Sequence, residues 1–361
     1  MKKRLVLSAF LGLLLCFALF SPTASAEAAP TAVTLGNESE EEILSLAEID
    51  GLRTVDGRAS TEYAALLQLR ALRPDCDVFW EVPFQGERYP SDTESLTVTD
   101  KTGLEDVLPY LPALKEVDLL KARAVISDLD RYHALRPDVF YLWEFYLEGA
   151  RVRTDTRVYS SLHGADSARY DERYYYPLLT YCPYLKALDL GHNVISDVTM
   201  IGDLKDLQVL ILADNTIRDA SPLGNLENLV YLELFINPYI EDFSFLGRLT
   251  RLRDLNLCYC RYLDNLDFLD SLPELSFLMY KRTAVPEEEQ LRWQEARPDV
   301  KMVFYDGDPE STGSGWRQTG RNQMIRTAFS HWYNVVRYDA YNDMEFKING
   351  GVYPITDFYT E

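Results

Sequence analysis

The chain has 361 residues, with 57 acidic against 36 basic side chains and a formal net charge of −21 at pH 7. This charge repels polyanions, so it excludes nucleic acid as a partner and disfavours an anionic membrane surface. Five cysteines are too few for a disulfide scaffold in a chain this long, and the four scattered histidines offer no metal-ligand spacing. We therefore predict no metal and no cofactor.

The N-terminus has the organisation of an export signal. Residues 2–4 are Lys-Lys-Arg, residues 5–20 form an almost unbroken apolar run, and residues 24–26 (Ala-Ser-Ala) fit a cleavage site. We predict a signal peptide over 1–26, with an uncleaved membrane anchor as the alternative. After cleavage no segment is long and apolar enough for membrane insertion. Residues 27–40 are small and polar, and we predict a disordered leader there.

The N-terminal region, residues 41–181, contains a long internal repeat. Residues 72–94 align with residues 135–157 without a gap, sharing an Arg-Pro-Asp motif and, further on, Trp80-Glu81 and Trp143-Glu144. A helical stretch precedes each Arg-Pro-Asp motif and a strand follows it, because proline ends a helix at the residue before it. We predict strand-helix-strand units here, with residues 150–176, rich in Arg, Tyr and Asp, as an exposed loop.

Residues 182–280 contain a shorter repeat of 22 or 23 residues. The frame is L-x-x-L-x-L-x-x-N-x-I, in which the L-x-L pair lies on a short strand with both leucines on one face. One polar or small residue recurs at a fixed place near the turn. The residues at this place, which we expect to form a buried ladder, are Asn193, Asn215, Asn237 and Cys260.

This frame resembles the leucine-rich-repeat family, and its 22-residue period is similar to the internalin-type bacterial subclass. The resemblance implies an α/β fold: a right-handed curved solenoid of short parallel strands, flanked here by the larger strand-helix-strand units. It also implies a role in protein–protein contact, in adhesion or recognition. Neighbouring coils must stack to bury the leucines, since one coil cannot hide its own.

The C-terminal part begins with a third, partial copy of the longer unit. Residues 281–306 carry Arg297-Pro298-Asp299 and are predicted to be a closing helix-strand unit. Residues 307–361 are predicted to be a linker and a capping segment, with an amphipathic helix over 321–337. The simplest arrangement is one continuous solenoid, and two separate domains remain the alternative.

The concave face of the expected solenoid is the candidate binding surface. The residues flanking the leucines in the middle coils are aromatic or apolar, which is typical of a protein contact. The candidate protein-binding residues are Tyr231, Glu233, Phe235, Ile236, Asn256 and Tyr259. Alternatively, the C-terminal cap or the 150–176 loop covers this patch.

No catalytic motif is present, so we predict no catalytic residue and no enzyme activity. The expected protein is secreted or extracellular, either free or held non-covalently at the cell surface. It binds a protein partner that the sequence does not identify. Two other readings stay open: a protein that binds cell-wall or other glycans on its tyrosine and tryptophan side chains, and an enzyme with its site in the Trp-Glu units.

Overall fold

The computed structural model describes residues 30–147, 150–161, 169–304, 346–348 and 351–353. These residues fall into two compact units. The first unit comprises the described residues up to Leu96, Thr102–Lys115 and Tyr132–Asp138. The second comprises Thr97–Lys101, Glu116–Arg131 and the described residues from Val139 onward.

The first unit is built on a parallel sheet of three short strands. These are β1 (Ala32–Thr34), β2 (Thr54–Asp56) and β3 (Asp77–Phe79), paired in that order. A hairpin follows, formed by β4 (Glu81–Phe84) and β5 (Glu87–Pro90). The helices are α1 (Glu40–Ser45), α2 (Tyr63–Leu72) and α3 (Leu104–Val107), with 3-10 turns at Leu46–Glu48 and Leu108–Tyr110. Helix α2 packs Ala65, Leu66 and Leu69 into the core.

The prediction of a disordered leader over 27–40 is wrong for residues 30–40. Strand β1 pairs with β2, and helix α1 begins with a capping box in which Ser39 and Glu42 bond each other's backbone N–H groups. This box satisfies two N–H groups that the first helical turn leaves without partners. It also orients Ile43 into the core, where that side chain is fully buried.

Strand β6 (Ser95–Thr97) and helix α4 (Ile126–Leu135) each begin in one unit and end in the other. The second unit contains the parallel pair β7 (Glu116–Asp118) and β8 (Phe140–Leu142), and the hairpin β9 (Glu144–Leu147) and β10 (Ala150–Arg153). Its helices are α5 (Glu172–Leu179) and α6 (Glu287–Ala296). The short strands β18 (Phe346–Ile348) and β19 (Gly351–Tyr353) pair antiparallel.

A parallel sheet of seven three-residue strands dominates the second unit. Its strands, paired in chain order, are β11 (Val158–Ser160), β12 (Ala187–Asp189), β13 (Val209–Ile211), β14 (Tyr231–Glu233), β15 (Asp254–Asn256), β16 (Phe277–Met279) and β17 (Lys301–Val303). The middle residue of each strand from β12 to β16 is a leucine with no exposed surface. The strands pair without slippage, so these leucines form one continuous row of the core. The leucine-rich-repeat solenoid predicted from the sequence is confirmed.

The opposite side of each coil is a 3-10 turn rather than an α-helix. These turns are Ile201–Asp203, Ser221–Asn225, Ser244–Arg248 and Asp267–Ser271. An aspartate opens each of the first three: Asp197, Asp219 and Asp242 accept a hydrogen bond from the backbone N–H two residues later. Hydrogen bonds from the hydroxyl and the backbone N–H of that later residue hold the pKa of each carboxyl below its usual range.

Within the second unit the parallel sheet is interrupted between β8 and β11. Thr154 occupies the outer edge of β8: its hydroxyl accepts from the Trp143 N–H at 2.9 Å and donates to the Tyr141 carbonyl at 2.8 Å. The side chain thus supplies bonds that a neighbouring strand would otherwise make. The predicted solenoid therefore contains a break in its sheet at this point.

The prediction of an exposed loop over 150–176 is wrong for the described part of that stretch. It contains strands β10 and β11 and the start of helix α5, while residues 162–168 lie outside the described residues. Val152, Tyr159 and Tyr175 are buried, and the two tyrosine rings meet edge to face at 6.3 Å. Composition misleads here because tyrosine has a polar tip on an apolar body and packs well in a core.

Each Arg-Pro-Asp arginine has the same structural role. Arg73 donates to the carbonyls of Ile49 and Leu52, at 2.9 and 3.1 Å. In the same way Arg136 reaches the carbonyls of Leu108, Leu111 and Leu114, and Arg297 those of Leu269 and Leu272. The aspartate two residues later holds each guanidinium by paired hydrogen bonds. The motif therefore fastens a helix end to the preceding turn.

The predicted signal peptide (1–26) lies outside the described residues, as do the predicted linker and the amphipathic helix over 321–337.

Candidate functional site

The ladder residues tie consecutive coils of the solenoid together. Asn215 donates from its amide nitrogen to the carbonyls of Leu190 and Leu212, at 3.0 and 3.1 Å, and its oxygen accepts from the Ile195 N–H at 3.0 Å. Asn237 repeats the pattern one coil further, on Leu212, Leu234 and the Ile217 N–H. Every polar atom of these buried amides is thus bonded, which makes the interior geometry rigid.

The two ends of the ladder vary this pattern. Asn193 donates to Leu190 and to the Ser161 hydroxyl and accepts from the Tyr170 N–H. Cys260 makes one contact, from its thiol to the Leu234 carbonyl at 3.3 Å. Burial raises the pKa of the Cys260 thiol to about 12, and also that of Cys258. Both thiols are therefore protonated at neutral pH and unreactive.

The sequence predicts an exposed patch on the concave face, which is the face of the strands opposite the leucines. The structure does not show such a patch on the strands themselves. Tyr231 is only 1% exposed and Asn256 only 3%, and Glu233 is buried as well, with the Tyr231 hydroxyl donating to its carboxylate. Alternation along a strand shows which face a side chain occupies, but not whether that face meets solvent. Three of the six candidate residues are thus enclosed within the folded chain.

The other three candidates reach the surface beside the ladder. Phe235 and Ile236 are half-buried, and Tyr259 is exposed. Two more tyrosines, Tyr239 and Tyr262, follow in the same turns and are exposed. We call these five residues on successive coils the tyrosine rim.

Ring contacts hold the tyrosine rim in place. The rings of Phe235 and Tyr259 meet edge to face, with centroids 5.5 Å apart. The Arg218 guanidinium lies over the Tyr239 ring, 4.7 Å from its centroid. These contacts reduce side-chain freedom without hiding the rings from solvent.

A left-handed backbone position gives the rim its direction. The residue just before each of the four ladder residues, and the corresponding residue of the next coil, has a positive φ of 54° to 63°. These residues are His192, Asp214, Ile236, Tyr259 and Arg282. Their chemistry is unrelated, and Ile236, Tyr259 and Arg282 do not belong to the types enriched in this region, so the conformation is imposed by the coil. For β-branched Ile236 it is strained.

Backbone hydrogen bonds between coils hold this conformation. The N–H groups of His192, Ile236 and Tyr259 donate to carbonyls of the next coil, at 2.7 to 2.9 Å. The side chains of the left-handed positions therefore project from the coil edge at fixed spacing.

Residues 205–248 match the family model for leucine-rich repeats, in two copies. With the in-register strands and the amide ladder, this match shows that the solenoid is built of leucine-rich repeats. No curated protein matches its sequence significantly.

Three solved structures are similar to parts of this chain. Internalin C2 of Listeria monocytogenes is 21% identical, over 38% of this chain and 70% of that one, with a TM-score of 0.29. A second Listeria monocytogenes internalin is 15% identical, over 76% and 67%, with a TM-score of 0.33. A leucine-rich-repeat protein of Leptospira interrogans is 12% identical, over 75% and 81%, with a TM-score of 0.33. These superpositions are loose, so the assignment rests on the repeat match and the geometry.

The Trp-Glu pairs lie at the start of the hairpins. The Trp80 indole donates to the Tyr110 carbonyl at 2.8 Å, and Glu81 pairs with Arg88 at 2.9 Å. Trp143 likewise donates to the Ala124 carbonyl at 2.9 Å. In the described part of the chain, no group of three or more His, Cys, Asp and Glu side chains is arranged to hold a metal. Nor is any described helix long and apolar enough to cross a membrane.

Proposed function

We propose that this leucine-rich-repeat protein is an exported binding protein that contacts a protein partner through its tyrosine rim. The observation that carries the proposal is the rim itself: three exposed tyrosines and two half-buried apolar residues on successive coils. Exposed aromatic clusters on a folded surface are typical of protein contacts. Tyrosine suits such a role because it offers a large contact area with few rotatable bonds.

The amide ladder supports the proposal through rigidity. Asn237 fixes the backbone between the rim residues of its coil, and Asn193 and Asn215 fix the two coils before it, so binding needs little ordering of the main chain. Ring contacts at Tyr239 and Tyr259 restrict those side chains before a partner arrives. The buried residues Tyr231, Glu233 and Asn256 then act as support for the rim rather than as contacts.

Export belongs to the same proposal. Residues 1–26 have the sequence of a cleavable signal, and we propose that the mature protein begins at Glu27. N-terminal sequencing of protein recovered outside the cell tests this. An N-terminus at Met1 would contradict cleavage.

The binding proposal is tested by placing a photo-cross-linking amino acid at position 262. The control carries it at position 291, an exposed leucine on helix α6 that is not part of the rim. Purified protein is incubated with intact cells and irradiated. We expect position 262 to give a discrete protein adduct that position 291 does not give.

The double variant Tyr239→Ala/Tyr259→Ala should weaken capture at position 262 at least about tenfold, as expected when interface aromatics are truncated. Its thermal midpoint should stay unchanged, because both side chains are exposed. Equal adducts from positions 262 and 291, or undiminished capture by the double variant, would contradict the proposal.

A further inference from the structure

A second surface feature lies apart from the tyrosine rim, in the second unit. It is an open cleft of about 250 Å³. Its lining residues are Glu116, Phe140, Leu142, Asp155, Arg157 and Tyr184. None of them belongs to the ladder, to the rim or to the Trp-Glu pairs.

The cleft lies where the parallel sheet is interrupted. One wall comes from the first residues of β7 and β8, Glu116 and Phe140. The other comes from the segments that lead into β11 and β12, which carry Arg157 and Tyr184. Because hairpin β9–β10 and Thr154 occupy the edge of β8, the gap between these walls is not closed by strand pairing.

Aromatic rings form one part of the lining. The rings of Phe140 and Tyr184 meet edge to face, with centroids 5.0 Å apart. Tyr184 is 44% exposed, so this arrangement leaves much of its side chain facing solvent. Leu142 is buried behind them. The cleft thus offers the Tyr184 ring as an apolar surface, held in place by the contact with Phe140.

Hydrogen-bond donors and acceptors complete the lining. The carboxylates of Glu116 and Asp155 only accept hydrogen bonds, and the Arg157 guanidinium only donates them. Asp155 is also bound by Arg153, at 2.7 and 3.1 Å, which offsets its charge. Glu116 and Arg157 have opposite charges, so the lining is close to neutral overall. Arg157 repels a cationic ligand and Glu116 repels an anionic ligand, so the cleft favours neither charge.

We infer that this cleft binds a neutral sugar ring, as one unit of a glycan. A pyranose brings several hydroxyl groups, each of which both donates and accepts, and these match the carboxylates and the guanidinium. Its C–H face matches the aromatic surface. A cleft of this volume has room for one ring of about a dozen non-hydrogen atoms. This inference is independent of the tyrosine rim, so either can fail without the other.

Saturation-transfer NMR on the full-length protein tests the inference. The probes are the methyl glycosides of glucose, galactose, mannose and N-acetylglucosamine. Glucuronate and protonated glucosamine serve as the charged comparisons. We expect at least one neutral glycoside to bind with a Kd of about 1 mM, the range for a small ligand in an open cleft. The strongest transfer should be to the C–H groups of one ring face.

Variants connect the signal to the cleft. Tyr184→Ala and Arg157→Met should each weaken binding about tenfold, by removing the stacking surface and the donor. Tyr184→Phe should stay within about threefold, because the ring is kept. Tyr146→Ala is the matched control: this tyrosine is 64% exposed on hairpin β9–β10 and does not line the cleft.

Three results would overturn the inference. One is the absence of transfer to all four neutral glycosides. Another is equal loss in Tyr184→Ala and Tyr146→Ala. The last is tighter binding of either charged sugar than of every neutral one. If Tyr184→Ala loosens the fold, Glu116→Gln replaces it, since that exposed change keeps the shape and should still weaken binding.

Discussion

The coils of residues 182–280, here called the thin coils, and the units closed by Arg-Pro-Asp bond backbone carbonyls with different side chains, at different places in the coil. In the thin coils a buried asparagine amide reaches the carbonyls of its own coil and of the coil before it. In the closing unit a helix intervenes, and only a long side chain can reach back. Arg297 spans that distance to the carbonyls of Leu269 and Leu272.

The difference shows how burial selects the chemistry. The asparagine site is enclosed, so its side chain must be neutral and fully bonded. The arginine side chain is 17% exposed and its partner Asp299 is 58% exposed, so this charged pair keeps contact with water. Neutral amides therefore bond the carbonyls inside the enclosed stack, and a solvated ion pair bonds those at its end.

Removing an amide from the middle of the ladder should have the largest effect. Asn215→Ala removes one of the two amide bonds to each of the Leu190 and Leu212 carbonyls and leaves the buried Ile195 N–H without its partner. We therefore expect a loss of about 3 kcal/mol in the free energy of unfolding. Urea unfolding followed by circular dichroism measures it. Cys260→Ala is the control: it removes one weak thiol contact and should cost only about 1 kcal/mol. Equal losses would show that the ladder does not stabilise the stack through its amides.

Arg297→Met tests the closing unit. It removes the bonds to Leu269 and Leu272 but keeps an apolar stem, and we expect a loss of about 2 kcal/mol in the free energy of unfolding. The comparison variant is Arg292→Met on the same helix, whose exposed ion pairs should contribute at most about 0.5 kcal/mol. If both variants unfold at the same urea concentration, Arg297 contributes no more to stability than a surface ion pair does.

The smallest expected change is a gain. Ile236→Asn replaces a β-branched side chain at φ 55° with a residue that tolerates the left-handed region, so the free energy of unfolding should rise by about 1 kcal/mol. Thermal unfolding measures the shift. Ile236→Val keeps the branch and should bring no gain. A fall in stability for Ile236→Asn would mean that the packing of Ile236 outweighs its backbone strain.

Leucine spacing predicts the solenoid because a hydrophobic row at a fixed period has few other structural solutions. The leader over residues 30–40 also had a readable signal, the Ser39-x-x-Glu42 capping box ahead of Ile43, although composition alone suggested disorder. The Arg-Pro-Asp arginines recur visibly in the sequence. Their partners, however, are carbonyls 21 to 28 residues earlier, which no local pattern shows.

The candidate site could be predicted only in part. Alternation predicts Tyr231 and Phe235 on the same face, but it gives no warning that Tyr231 is enclosed while Phe235 is half-buried. Tyr239 and Tyr262 lie beyond the ladder position, where the third coil carries an extra residue and the frame shifts. The cleft depends on a break in strand pairing, which is a property of the folded chain and not of any one motif.

The left-handed position just before each ladder residue accepts side chains of very different chemistry. Five chemically unrelated side chains occupy that position, and in each case the backbone path is the same. Strands in a sheet lie about 4.8 Å apart, so these positions form an evenly spaced row. A combinatorial library randomised at positions 192, 214, 236, 259 and 282 would therefore vary surface chemistry along the row while the scaffold beneath stays constant.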